Sequence, residues 1–237
     1  MRAFGLLVAL AALVLAGCHA GDRGTGRVRA EDHDAFYLWA GVKPQPALRQ
    51  ARTLYLLAGE VRREGAPHFV PLRAVPQVRG AAVWYVVRAA RIDWDAACWA
   101  QIAADMARWQ GSGNRLAGLQ IDFDTATGGL ANYAHFLAEA RRHLPRAYSL
   151  SVTGLMDWGA NGDPAALGAL QGTVDEVVVQ TYQGRSTIPD YQRYVDRLAR
   201  LPVPYRLALV QGGAWREPES VRRDPRFRGY VVFLLNR

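Results

Sequence analysis

Short apolar runs alternate with stretches of helical period along most of this chain. "AFYLWAG" (35–41), "TLYLLAGEV" (53–61) and "AAVWYVVRA" (81–89) read as strands, being rich in aromatic and β-branched residues. The same holds for "LAGLQIDFD" (116–124), "YSLSVTGL" (148–155), "DEVVVQTYQG" (175–184), "YRLALVQGG" (205–213) and "GYVVFLLN" (229–236). "HFVPLRAVP" (68–76) is broken by prolines and fits a loop or an edge strand. Between the runs, Cys98, Ile102, Met106 and Trp109 form a stripe at helical spacing, with Asp93 expected as the cap. Leu130, Tyr133, Leu137, Ala140 and Leu144 mark a second helix. Asp163-Pro164 opens a short helix, and another begins near Pro189 with Tyr191, Val195 and Leu198 on one face.

Strands separated by helices pair in parallel, and eight of them predict an α/β fold, a (β/α)₈ TIM-type barrel. It is expected to be small and incomplete, with weak helices after the first two strands and no closing helix after the last. A doubly wound open sheet is the rival. Its nucleotide-binding form is excluded, because no G-x-G-x-x-G follows the first strand.

The first residues change the picture of where the chain resides. "MRAFGLLVALAALVLAGC" places Arg2 before an apolar stretch too short to span a bilayer but suited to a secretory signal. Leu15-Ala16-Gly17-Cys18 resembles the lipobox of bacterial lipoproteins, which implies cleavage and lipidation at Cys18. The expected organisation is a signal peptide over 1–17, a flexible tether over 18–33 rich in Gly, Arg, Asp and His, and a barrel domain over 34–237. His19 stands where the Asp resembling an inner-membrane retention signal would be, so the expected location is the cell envelope, lipid-anchored on the periplasmic side of the outer membrane.

The charge is +8 from 29 Lys and Arg against 21 Asp and Glu, with Lys43 the only lysine. The arginines scatter over helices and loops without a dense run, so nucleic acid is not expected as a partner. Cys98 is the only cysteine besides Cys18, which leaves no disulfide within the mature chain.

The chemistry concentrates in the fourth strand. Side chains alternate faces, so Leu119, Ile121 and Phe123 face the helices while Gly118, Gln120, Asp122 and Asp124 face the barrel interior. Burying an unpaired carboxylate is costly, and barrel enzymes do their chemistry at the C-terminal strand ends. Two carboxylates two residues apart couple their charges and raise the pKa of one. A polar plug filling the barrel bottom, or a strand-end cap, is the structural alternative.

"GLQIDFD" is similar to the fourth-strand signature of family 18 glycosidases, the chitinase-like barrels, which reads D-G-φ-D-φ-D-x-E with φ apolar. The resemblance puts Asp122 at the carboxylate that orients the substrate acetamide and Asp124 at the general acid, while Gln120 replaces an aspartate. "VVVQTYQG" resembles the sixth strand of those barrels and matches Tyr182 to a substrate-assisting tyrosine. Asp124 is a methylene shorter than the family's Glu, and the tryptophan on the family's last strand has no match in "VVFLLNR". Over most of residues 35–236, with "QIDFD" as hallmark, the chain is identified as a member of the DUF3142 family of uncharacterised bacterial proteins.

Trp39, Trp84 and Trp158 lie at or near predicted strand ends, as does Tyr37, where sugar faces stack on aromatics. Gln180 and Gln211 end strands, and with Gln120 they suit a polyhydroxylated ligand; Glu60 is a candidate second acid. No histidine joins the carboxylates, and no metal or cofactor is expected. The resulting expectation is an envelope lipoprotein whose barrel hydrolyses a glycan, with Asp122, Asp124 and Tyr182 as the working residues. A non-catalytic saccharide-binding barrel and a purely structural lipoprotein remain open beside it. Oligomeric state is not legible in the sequence.

Overall fold

The computed structural model describes residues 26–236. The expected signal peptide, Cys18 and the first part of the tether lie outside them. The eight predicted strands all form: β1 (Ala35–Leu38), β2 (Thr53–Val61), β3 (Ala82–Ala89), β4 (Arg115–Asp122), β5 (Ser149–Leu155), β6 (Glu176–Gln180), β7 (Tyr205–Val210) and β8 (Phe227–Phe233). Each pairs in parallel with the next. β8 returns to β1 through Val232↔Phe36 and Phe233↔Tyr37, which closes the barrel. The chain is a TIM-type α/β barrel.

Period-two alternation sorts the strand residues into two apolar sets. Phe36, Tyr85, Leu119, Ile121, Val152, Val177, Val179, Leu207 and Val232 join the shell between strands and helices. Tyr37, Tyr55, Trp84, Val86, Val178, Ala208 and Val231 fill the barrel interior. A strand buried on both faces must be apolar on both, which is why these runs lack the polar half of an ordinary amphipathic strand.

The outer layer is uneven. The long helices are α1 (Ala96–Gly111) and α2 (Leu130–His143), α1 packing on β3 through Tyr85, which donates to Asp105 at 2.6 Å, and α2 packing Tyr133 on Phe123 just past β4. Elsewhere the helices are short: α3 (Trp158–Asn161), α4 (Pro164–Gly168), α5 (Tyr191–Val195) and α6 (Glu219–Arg223). A 3₁₀ turn at Pro46–Gln50 stands in for the first helix, and Phe69–Pro71 adds an antiparallel edge strand to β2 instead of the second.

Two expectations are corrected. The cap of α1 is Asp95, whose carboxylate accepts from the Cys98 amide at 2.8 Å, whereas Asp93 pairs with Arg91. Residues 26–33 are part of the fold instead of tether. Gly26–Arg27 pairs with Ala214–Trp215, and Val28 and Ala30 are buried, so this segment satisfies its backbone and apolar groups against the β7–β8 connection. Cys98 is buried in the shell as its helical stripe predicts.

Candidate functional site

The barrel interior carries a polar relay through its apolar fill. At its lower end Arg206, at the start of β7, donates through Nε to Glu176 Oε2 at 2.7 Å. Tyr55 Oη donates to Glu176 Oε1 at 2.7 Å, and Ser151 Oγ reaches the same oxygen at 3.3 Å. Ser151 in turn accepts from Gln120 Nε2 at 2.8 Å, while Gln120 Oε1 accepts from Tyr37 Oη at 2.8 Å. Each of these side chains, from Arg206 to Tyr37, finds a partner within the relay, as a low-dielectric interior requires. Gln120 is fully buried and belongs to this relay, so it supports the floor of the mouth and does not line it.

Above the relay opens a cleft of about 320 Å³, lined by Tyr37, Trp39, Arg88, Asp122, Asp124 and Tyr182 among others. β4 brings Asp122 to the rim as its last residue, and Asp124 follows two positions on, so both stand at the C-terminal end of the barrel. Thr153 on β5 donates to Asp122 Oδ1 at 3.0 Å while accepting the Phe123 amide at 3.2 Å. Asp122 is half-buried, and burial pushes its carboxyl up to about 6; the Thr153 hydrogen bond pulls down, Asp124 pushes up, and Arg88 pulls down. Arg88 lies opposite Asp122 in the β3–β4 register. Asp124 is exposed.

An aromatic wall faces the carboxylates. Phe233 packs 5.3 Å from Tyr182, 5.5 Å from Trp39 and 6.3 Å from Tyr37 between ring centroids. The Tyr182 hydroxyl is raised by burial and by both aspartates, so it stays protonated and able to donate. Gln180 completes this side, its amide donating to the Tyr182 carbonyl at 3.0 Å.

Four expected ligand contacts lie elsewhere. Trp158 is fully buried in the outer shell, its indole N–H donating to the Thr125 carbonyl at 3.0 Å, because the turn into α3 carries it behind the barrel wall. Trp84 faces inward but below the cleft, stacked on Tyr55 at 5.9 Å. Glu60 pairs with Arg62 at 2.6 Å, taken up by the edge hairpin. Gln211 exchanges hydrogen bonds with Gln45 and accepts the Leu235 amide at 3.0 Å, in a neighbouring depression. Conversely, Arg88, Thr153 and Phe233 line the cleft without having been singled out from sequence. The period-two phase of their strands was the available signal: each shares a face with an interior residue two positions earlier, namely Val86, Ser151 and Val231.

Among the described residues no three His, Cys, Asp or Glu side chains converge as metal ligands. No helix among them is long and apolar enough to cross a membrane.

Residues 85–216, more than half of the chain, match DUF3142, a domain of unknown function. The chain belongs to the DUF3142 family. No curated protein sequence matches it. Its fold resembles the chitinase domain of the spore coat protein CotE from Clostridium difficile, at 14% identity over 88% of this chain and 73% of that one, with a TM-score of 0.54. It also resembles a chitinase from Bacteroides thetaiotaomicron, at 11% identity over 75% of this chain and 67% of that one, TM-score 0.54. The Bacillus cereus spore cortex-lytic enzyme SleL shares 16% identity over 74% of this chain, TM-score 0.50, and the DUF3142 chain spans only 50% of that protein's length. These neighbours, chitinases among them, share the TIM-type barrel fold.

Proposed function

We propose that this barrel takes a polysaccharide across its mouth and hydrolyses a glycosidic bond there, with Asp122 and Asp124 as the reacting carboxylates and Tyr182 in contact with substrate. The observation that carries this reading is Asp122: a half-buried carboxyl raised to about 6, beside a second carboxylate and opposite an aromatic wall. A group poised there keeps its proton into the mildly acidic range, well above an ordinary aspartate, as suits a general acid. On this reading Asp122 supplies the proton and Asp124 stands beside it at the rim, an exchange of the roles that the family 18 resemblance assigns to them. Tyr37, Trp39 and Phe233 offer ring faces to a sugar. The chitinases among the fold neighbours support a glycan over other polyhydroxylated ligands.

A saccharide-binding barrel without turnover is the second reading, favoured by the neutral, fully bonded Gln120 in place of a third carboxylate. Reducing-end release from amino-sugar and uronate polymers, measured together with binding, separates the two. Turnover that falls by roughly 10²–10⁴ in Asp122→Asn, with binding retained, supports the hydrolase. Turnover unchanged in both Asp122→Asn and Asp124→Asn removes these residues from the chemistry, and binding without turnover gives the site to the second reading.

The location proposed is the cell envelope, through a lipid on Cys18. Labelled palmitate incorporated by wild type and lost in Cys18→Ala is the expected result; equal labelling of both refutes the anchor.

A further inference from the structure

Beside the cleft lies a second depression of about 610 Å³, lined by Arg27, Arg29, Glu31, Arg185, Gln211 and Asn236 among others. Its lining adjoins that of the cleft on two sides. On the β6 side Gly184 lines the cleft and Arg185 the basin; on the β8 side Phe233 lines the cleft and Asn236 the basin. Consecutive Cα atoms are about 3.8 Å apart, so the Gly184–Arg185 peptide marks the boundary between cleft and basin.

The two depressions differ in charge. The cleft presents Asp122 and Asp124 with Arg88, whereas the basin presents three guanidinium groups against Glu31. Two of the three are anchored: Arg27 donates to the Gly212 carbonyl at 2.9 Å and Arg185 to the Asn236 carbonyl at 3.3 Å. A guanidinium has five N–H donors, so each keeps several for a ligand while its position is held by the backbone. The Arg29 link to Asp32 spans 4.0 Å between exposed side chains, too weak to neutralise it. Guanidinium groups arranged this way suit planar carboxylates, which they grip with paired hydrogen bonds.

We propose that the basin binds a carboxylate-bearing sugar adjoining the unit held in the Asp122–Asp124 cleft, which makes the ligand an acidic polysaccharide of the polyuronate class. This rests on the saccharide reading of the cleft. The adjacency of basin and cleft favours a glycan spanning both over an acidic lipid headgroup, which would need no contact with the cleft.

The test titrates the full chain at about 0.15 M salt so that distant charges are screened, in detergent with oligogalacturonate, its carboxyl-reduced neutral form and chitohexaose, and separately, after detergent removal, with phosphatidylglycerol vesicles. Oligogalacturonate is expected to bind about tenfold or more tighter than its reduced form, the preference a pair of charge-assisted hydrogen bonds confers. Arg27→Gln/Arg185→Gln should erase that preference, whereas Arg142→Gln/Arg146→Gln, remote from the mouth, should leave it. Arg29→Gln, which breaks no backbone contact, must weaken the preference even if the double variant misfolds. Equal binding of the acidic and reduced forms, or equal losses from basin and remote variants, overturns the inference. Binding of chitohexaose or the reduced form with no acidic preference overturns it while leaving the saccharide cleft standing. Binding of no glycan overturns both, and vesicle binding through the same arginines without oligogalacturonate binding reassigns the basin to lipid.

Discussion

Thr153 Oγ1 donates to Asp122 Oδ1 at 3.0 Å and accepts the Phe123 amide at 3.2 Å, which ties the first carboxylate of the cleft to the β4–β5 pair. The bond stabilises the ionised carboxyl against the burial that raises it to about 6. Thr153→Val removes the donor at nearly constant volume, so Asp122 should titrate higher still, by roughly one pH unit or less, the equivalent of one hydrogen bond. Carboxyl carbon NMR of Asp122 across pH 4–9 checks this; an unchanged or lowered midpoint contradicts it.

Asp122 also links the site to stability. Its carboxyl binds a proton more tightly in the folded chain than in the unfolded one. Its contribution is therefore fully present below about pH 4 and is lost as pH rises through about 6. Asp122→Asn avoids the ionised form, and Asn still accepts from Thr153. The variant should be more stable than wild type by about 1–2 kcal/mol at pH 7.5 and equal to it near pH 4. Urea midpoints at the two pH values decide; a variant less stable at pH 7.5 is the contrary result.

Glu176 is the hub of the interior relay, receiving Tyr55, Ser151 and Arg206. Glu176→Leu leaves the Arg206 charge and two hydroxyls without their acceptor and should cost roughly 2–4 kcal/mol. Glu176→Leu/Arg206→Met should cost less than the two single changes added together, because the pair falls together. Additive losses in urea unfolding would show that the two residues act independently.

Gly118 sets how closely β4 approaches β5. A Cβ at this position would overlap the Ser149 carbonyl oxygen, a backbone atom with nowhere to move. Gly118→Ala should destabilise the barrel by more than about 4 kcal/mol or prevent soluble expression. Gly128, with nothing within 4 Å of a built Cβ, should accept alanine within about 0.5 kcal/mol. Similar thermal midpoints for the two variants would contradict the packing of β4 on β5.

The sequence by itself determined the elements and the phase of each strand. Alternation of two apolar faces is a local property, so the eight strands, the inward side of Gln120, Asp122 and Asp124, and the shell position of Leu119 and Ile121 were all readable from spacing. Only the tertiary structure decided depth and company. Gln120 and Asp122 share a face and a strand, yet one is sealed in a relay with Tyr37 and Ser151 while the other meets solvent, because depth along the barrel axis depends on the tilt and register of neighbouring strands. Trp158 was expected as a sugar platform from its position, and Phe233 was not singled out. The turn into α3 buried the first in the shell, and closure of β8 onto β1 set the second beside Tyr37 and Tyr182. Residues 26–33 read as tether because their composition is polar; their order comes from pairing with Ala214–Trp215, almost two hundred residues away, a contact that no local pattern encodes.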